Sequence, residues 1–210
     1  MLSERYDEAL VFAHQLHRRQ KRKGGTTPYI AHLLSVSALA LEHGADEDQA
    51  IAALLHDAVE DQGGDAARQE IRRRFGDRVA ALVDDCTDAD QTPKPPWRAR
   101  KEAYLRRLRT LPEASRLVSL ADKLHNARAI LLDYRAVGES LWLRFEGRRE
   151  GTLWYYRSLV EIFAGSPPLA LANELERTVL ELERLASLAT PQAESRHPQE
   201  GIHGCSRPPT

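Results

Sequence analysis

An apolar segment that ends in four titratable groups occupies residues 51–61, IAALLHDAVED. Its first five residues are apolar, and they lead directly into His56, Asp57, Glu60 and Asp61. Burying such groups without partners costs several kcal/mol each. In a continuous helix, side chains four residues apart share a face, so His56 is expected near Glu60 and Asp57 near Asp61. The pattern fits an ordinary salt-bridged helix end unless other segments supply a better partner.

Two more polar residues interrupt apolar helical patterns elsewhere in the chain. His32 lies near the apolar face of the second predicted helix, and Asp122 lies within the apolar segment 117–130. With His56 and Asp57 they form a set of two imidazoles and two carboxylates, which suits one divalent transition ion such as manganese, iron, cobalt or zinc. A bound cation gives these buried groups their missing partner. We therefore expect one metal site that draws its ligands from separate helices.

The remaining polar groups predict phosphate chemistry beside that metal. Glu60 and Asp61, one turn further along, can orient or deprotonate a water molecule or protonate a leaving phosphate oxygen. Five of the six residues 18–23 are basic, which fits either a solvated helix end or a phosphate clamp. Asn126, one turn from Asp122, suits a sugar hydroxyl. The residues thus predict a site for a phosphorylated nucleotide.

Apolar residues recur at helical spacing through most of the chain, and no useful length of sequence alternates as β-strands do. The sequence therefore predicts an all-α fold for residues 1–188. A change to Pro, Ser, Gly and Gln predicts a disordered tail over residues 189–210. The predicted helices are residues 3–17, 29–43, 46–63, 65–75, 97–109 and 169–188, with further helices that start at 77, start at 112 and contain 154–163. The predicted N-caps are Asp46, with Gln49 as its capping-box partner, Asp65 and Asp77.

The composition is that of an ordinary globular protein, with 42% hydrophobic and 29% charged residues among 210. A net charge of -1 gives no argument for nucleic acid or an anionic membrane as partner. No apolar run reaches the length of a membrane span, and the N-terminus lacks a secretion signal. The two cysteines, Cys86 and Cys205, form no CxxC motif, which fits a reducing cytoplasm.

Four longer strings add a family resemblance: RRQKRKGGTTPYIAH, ALLHDAVED, FGDRVAALVDD and SLADKLHNARAI. The order H, HD, D of the predicted ligands resembles the signature of the HD superfamily of metal-dependent phosphohydrolases. The longer strings resemble the hydrolase domain of RelA/SpoT-type proteins and the stand-alone small alarmone hydrolases, over roughly residues 10–160. This resemblance implies an HD-domain helical bundle.

The resemblance also implies roles for individual residues. The implied manganese ligands are His32, His56, Asp57 and Asp122. The implied catalytic acidic pair is Glu60 and Asp61. The implied substrate contacts are Arg22 and Lys23 at the base and phosphates, Asn126 near the ribose, and Tyr156 with Arg148 or Arg149. One departure is Leu33, which stands where the family commonly has a proline.

The activity implied by the resemblance is manganese-dependent hydrolysis of guanosine tetra- or pentaphosphate, (p)ppGpp, to GDP or GTP and pyrophosphate. The same site also suits another 3′- or 2′-phosphorylated nucleotide, such as the adenosine analogue (p)ppApp or NADPH. A different class of function is a module that binds the nucleotide without turnover, and the intact ligand set and acidic pair argue against it. No segment is left over for a synthetase domain, so only hydrolysis is expected.

The other histidines and the tryptophans are given structural roles. They fit no ligand pattern, so we expect surface or helix-packing histidines and tryptophans that anchor the core or its loops. These residues are His14, His17, His43, His125, Trp97, Trp142 and Trp154.

Overall fold

A computed structural model describes residues 1–88 and 93–189, and these residues form ten α-helices and one 3₁₀ helix. Within these two ranges there is no β-strand, and Lys21 and Pro28 form an isolated bridge. The predicted all-α fold is confirmed, while the predicted tail beyond Ala189 lies outside the described residues. The helices are α1 Glu4–Leu16, α2 Ile30–Glu42, α3 Glu47–Leu55, α4 Ala58–Gln62, α5 Gly64–Phe75, α6 Asp77–Cys86, α7 Trp97–Leu108, α8 Glu113–Val137, the 3₁₀ helix Gly138–Arg144, α9 Arg148–Phe163 and α10 Leu169–Leu188.

Helix starts follow the local sequence in some places and depart from it in others. Asp46 and Gln49 form the predicted capping box at α3, each side chain bonding to the backbone N–H of the other residue. Asp65 and Asp77 were predicted to be caps, and this is wrong. Both lie in the first turn of their helices, because the chain already turns at glycine, as at Gly76 with its φ of +90°. Their carboxylates there still complement the helix dipole.

The prediction of one helix over residues 46–63 is also wrong, because α3 ends at Leu55 and α4 begins at Ala58. His56 and Asp57 form the turn between them. The His56 ring nitrogen Nδ1 lies 2.9 Å from the carbonyl oxygen of Ala53. In a continuous helix that oxygen would accept the N–H of Asp57. A local bond between side chain and backbone thus competes with the helix.

Two hydrophobic clusters form the core. The first joins apolar side chains of α1 and α3–α6, and the second joins those of α7–α10 and the 3₁₀ helix together with Ala53 of α3 and Cys86 of α6. The helix α2 contributes to both, with Leu33 in the first cluster and Val36 in the second. No helix within the described ranges is long and apolar enough to cross a membrane.

Truncating Leu124 to alanine should destabilise the fold by about 2–5 kcal/mol, because this α8 side chain is fully buried in the second cluster. Leu132 on the same helix is 63% exposed, so its truncation should cost less than about 0.5 kcal/mol. Urea unfolding of the two variants measures both costs. Equal losses of unfolding free energy would contradict the assignment of Leu124 to the core.

Candidate metal centre and adjoining cleft

The four predicted ligands converge on one point from three parts of the chain. His32 comes from α2, His56 and Asp57 from the turn between α3 and α4, and Asp122 from α8. His56 Nε2 lies 3.0 Å from Asp57 Oδ2, and His32 Nε2 lies 3.2 Å from Asp122 Oδ1. The two remaining imidazole–carboxylate distances, from His32 to Asp57 and from His56 to Asp122, are both 3.5 Å. Donor atoms of His32, His56 and Asp57 all lie within 4.8 Å of one another, and Asp122 Oδ1 lies within 3.5 Å of both imidazole nitrogens.

The hydrogen bonds of the two imidazoles fit a cation at that point. Both Nε2 atoms are buried, and although carboxylate oxygens lie 3.0–3.5 Å away, no group among the described residues meets the geometry of a hydrogen bond to them. Their Nδ1 atoms are engaged, since His56 Nδ1 contacts the Ala53 carbonyl and His32 Nδ1 lies 2.8 Å from His125 Nδ1. Partners of this kind orient a metal-binding histidine and set its tautomer. Two free imidazole nitrogens and two carboxylates therefore form a donor set that suits a divalent transition ion.

Charge coupling keeps both carboxylates ionised. Burial raises the pKa of Asp57, but His56 and His32 together outweigh burial and lower that pKa well below its ordinary value. Burial likewise raises the pKa of Asp122, and Lys123 followed by His56 lowers it well below the ordinary value. The Lys123 ammonium lies 2.5 Å from Asp122 Oδ2. Ionised carboxylates in a buried site attract a cation strongly, because the surrounding dielectric is low.

Sequence reasoning missed two partners of these ligands. The Tyr29 hydroxyl donates a 2.6 Å hydrogen bond to Asp57 Oδ2, and burial together with the charge of Asp57 raises its pKa, so it remains a donor. His125, predicted to have only a packing role, contacts the ligand His32, and burial lowers its pKa to about 4. Each stands three residues from a ligand, Tyr29 before His32 and His125 after Asp122. This i, i+3 spacing was the signal available in the sequence.

Replacing Tyr29 by phenylalanine should weaken divalent-cation binding about tenfold to a hundredfold, because Asp57 loses the hydrogen bond that orients it. Manganese titration followed by calorimetry measures this change. The matched control is Tyr6→Phe, whose hydroxyl bonds to Ser37 Oγ at 2.8 Å instead of to a ligand. Equal cation affinity in Tyr29→Phe and the unmodified protein would show that this bond does not support the site.

The acidic residues that follow the turn face different partners. Glu60 forms a 2.8 Å ion pair with Lys94 and lines a cavity of about 300 Å³. Asp61 accepts a 2.7 Å hydrogen bond from the Gln20 side chain, and its pKa is raised by desolvation and by the charge of Asp57. The expected proximity of Asp57 and Asp61 is retained, since the Asp61 N–H donates to the Asp57 carbonyl at 3.0 Å. Glu60 pairs with Lys94 instead of His56, because the helix breaks at His56 and Asp57.

A cleft of about 520 Å³ extends from the predicted ligand His32 along α8. Four of the predicted substrate contacts line it, namely Arg22, Lys23, Asn126 and Tyr156. Arg22 Nη2 donates to Asn126 Oδ1 at 2.6 Å, and Asn126 Nδ2 donates to Asp122 Oδ1 at 2.5 Å. These bonds connect the basic loop to the metal ligands. Lys23 and Tyr156 also line the smaller cavity, so the two cavities adjoin.

The structure does not bring Arg148 or Arg149 to the cleft. Arg148 is exposed, has a φ of +51° and donates to the carbonyl of Leu143 at 3.3 Å. Arg149 donates to the carbonyl of Ala186 on α10 at 2.9 Å. The arginine that lines the cleft from this part of the chain is Arg144, in the 3₁₀ helix. The predicted contact Arg148 therefore lies outside the lining of this cleft, and Arg144 lines it instead.

Comparison with known proteins adds family evidence to this geometry. The family model of the HD domain matches residues 9–152. A relative from Aquifex aeolicus (strain VF5), named guanosine-3′,5′-bis(diphosphate) 3′-pyrophosphohydrolase, is 35% identical over 183 residues, which is 83% of this chain and 23% of that protein. A relative from Xenopus tropicalis, which has the same name followed by MESH1, is 39% identical over 124 residues, 58% of this chain and 66% of that protein.

These relatives differ in length and in name. The chain spans less than two thirds of the two relatives just described, and 16% of one from Brucella melitensis that is named GTP pyrophosphokinase rsh. A solved structure described as a metazoan orthologue of SpoT that hydrolyses ppGpp matches with a TM-score of 0.72 and 27% identity, over 88% of this chain and 98% of that one. The predicted HD-domain helical bundle is confirmed. The chain belongs to the HD domain family.

Proposed function

We propose that this chain is a manganese-dependent hydrolase that removes the 3′-pyrophosphate of (p)ppGpp and releases GDP or GTP. The observation that carries the proposal is the pair of unpartnered, buried Nε2 atoms that meet two carboxylates at the end of a basic cleft. Two relatives named as 3′-pyrophosphohydrolases support the substrate. A cytoplasmic location belongs to the same proposal, and the free thiol of Cys86 fits it.

The residues that would hold the cation are His32, His56, Asp57 and Asp122, whose donor atoms suit manganese. When bound, a divalent cation withdraws charge from a phosphate oxygen and makes a water molecule more acidic. The protein's own part is to hold the donors in place through Tyr29, His125 and the Ala53 carbonyl. Preorganisation of this kind removes the cost of arranging the ligands during the reaction.

Glu60 and Asp61 divide the proton handling in this proposal. The Glu60 carboxylate, held by Lys94, takes a proton from the attacking water. Asp61, whose pKa is raised, supplies a proton to the ribose 3′-oxygen as the bond between this oxygen and phosphorus breaks. One water is consumed, and its oxygen leaves on the released pyrophosphate. Lys23, at the junction of the two cavities, is positioned to hold the pyrophosphate.

Product identification on a substrate panel tests the proposal. The purified full chain with Mn²⁺ is given equal concentrations of ppGpp, ppApp or NADPH, and products are separated by anion exchange. Pyrophosphate and GDP from ppGpp are the expected result. Phosphate release from NADPH alone would reassign the substrate, and tight ppGpp binding with no pyrophosphate release would identify a module that only binds nucleotide.

A further inference from the structure

The cleft contains one carboxylate that the metal chemistry does not use. Asp133, on α8, is the single Asp or Glu among the described residues that line the cleft. Its Oδ2 lies 2.9 Å from Nη1 of Arg144, and half of its side chain remains exposed. A carboxylate repels phosphate groups, so this wall suits a part of the ligand that is uncharged and carries hydrogen-bond donors.

Distances along α8 show which part of a nucleotide reaches this wall. Asp122 marks the metal end, Asn126 follows one turn later, Ala129 and Ile130 follow in the next turn, and Asp133 in the turn after that. The eleven helical steps from Asp122 to Asp133 span about 16 Å at the rise of an α-helix. This length is comparable with a nucleotide measured from its 3′-phosphate to the far edge of its base. Ala129 and Ile130, between the metal end and Asp133, provide an apolar surface for a base.

The Arg144 side chain is held on two sides. Asp133 binds the guanidinium group of Arg144, and the backbone of Gly24 packs against the aliphatic part of the same side chain. A Cβ atom on Gly24 would lie 2.5 Å from Cδ and 2.8 Å from Nε of Arg144, and Gly24 has a φ of +77°. The loop that carries Arg22 and Lys23 therefore closes onto Arg144 with no space for a side chain. This contact fixes the ion pair of Asp133 and Arg144 at the wall of the cleft.

We propose that Asp133, positioned by Arg144, reads the Watson–Crick edge of guanine and makes the site selective for guanosine nucleotides, an inference that rests on the proposed function. That edge presents two neighbouring donors, N1–H and the 2-amino group, beside the acceptor O6. The Asp133 carboxylate accepts from the two donors, and Arg144 donates to O6. Adenine presents an unprotonated ring nitrogen at the same place, which faces the carboxylate acceptor without a hydrogen.

Nucleotides with altered bases test each of these proposed hydrogen bonds separately. Manganese-loaded full chain is assayed with the 3′,5′-bis(diphosphates) of guanosine, inosine, xanthosine and adenosine. Inosine lacks the 2-amino donor, and xanthosine carries a carbonyl oxygen in its place. We expect guanosine to exceed inosine in kcat/KM by about tenfold to a hundredfold, the range for a hydrogen bond to a charged group. Adenosine and xanthosine should be cleaved more slowly still, because both place an acceptor against Asp133.

The variant Asp133→Asn should change the order of kcat/KM among the four substrates as well as the overall rate. Its amide donates to the xanthosine carbonyl, so the ratio of xanthosine to guanosine kcat/KM should rise at least about tenfold. The control is Glu181→Gln on α10. It removes the 3.1 Å ion pair between Glu181 and Arg135, which lies on α8 as Asp133 does. This control should keep the guanosine preference.

Failure of the inference and failure of the proposed function give different results. Two results would overturn the proposed recognition of the base by Asp133 and leave hydrolysis intact. One is equal cleavage of the guanosine and adenosine substrates, and the other is an unchanged order of kcat/KM among the substrates in Asp133→Asn. Pyrophosphate release from none of the substrates would contradict the proposed function. In that case calorimetric binding of GDP and XDP tests the recognition of the base by Asp133. A preference for GDP that is reversed in Asp133→Asn supports this recognition, and equal binding of the two nucleotides overturns it.

Discussion

Replacing Asp57 by alanine is expected to abolish divalent-cation binding and, with it, the proposed hydrolysis. Asp57 Oδ2 lies within 3.5 Å of both ligand imidazoles, so its removal deletes one of four donors. A cation that binds the folded state at a hundred times its Kd stabilises that state by about 2.7 kcal/mol. Mn²⁺ should therefore raise the melting temperature of the unmodified protein and leave that of Asp57→Ala nearly unchanged.

This prediction has readouts that do not depend on activity. After dialysis the unmodified protein should retain about one ion per chain, because a site with four donor groups is expected to hold one ion. The Asp57→Ala variant should retain none. The control is Asp65→Ala, which removes a carboxylate on α5 whose side chain is 70% exposed. Retention of the manganese-induced stabilisation in Asp57→Ala would show that the ion binds elsewhere.

Replacing Glu60 by glutamine should reduce turnover by about a hundredfold or more and leave cation binding unchanged. The substitution keeps the shape of the side chain and removes its negative charge, so the side chain can neither accept a proton nor form the ion pair with Lys94. Because Glu60 is paired with Lys94 and is not a ligand, Mn²⁺ should stabilise the variant as much as the unmodified protein. The expected signature is thus a loss of kcat at constant metal content.

Steady-state kinetics with ppGpp, combined with metal analysis, measures both parts. Glu70→Gln is the matched control, because Glu70 is also held by basic side chains, Arg73 and Arg74, but lies on α5 away from the cleft. Full turnover in Glu60→Gln would remove this residue from the proposed chemistry. A loss of metal in the same variant would instead place it among the groups that hold the ion.

The convergence of the four predicted ligands could be anticipated because each of them interrupts a strongly apolar helical pattern. His32, His56 and Asp122 are all nearly fully buried, which is the situation that the sequence pattern indicates. The break at His56 and Asp57 was not predictable from periodicity. It depends on the bond between the His56 ring and the Ala53 carbonyl, and hydrophobic spacing carries no information about such competition.

The arginine of the cleft was missed for a related reason. Residues 138–147 lack helical periodicity, so the sequence gives no basis for deciding which side chain points inward. The 3₁₀ helix directs Arg144 to the cleft, while α9 begins at Arg148 and leaves its side chain exposed. Asp133 was likewise indistinguishable from a solvated helix residue until its partner Arg144 was located.

The division of the core into two clusters has a consequence for how the protein unfolds. Asp57 adjoins the first cluster, Asp122 lies among residues of the second, and His32 lies on α2, one of the helices that contribute to both. A bound ion therefore acts as a crosslink between the two halves, and it couples segments that are far apart in the chain. With the ion present the halves should exchange their amide hydrogens as a single cooperative unit, whereas chelation should allow each half to open separately.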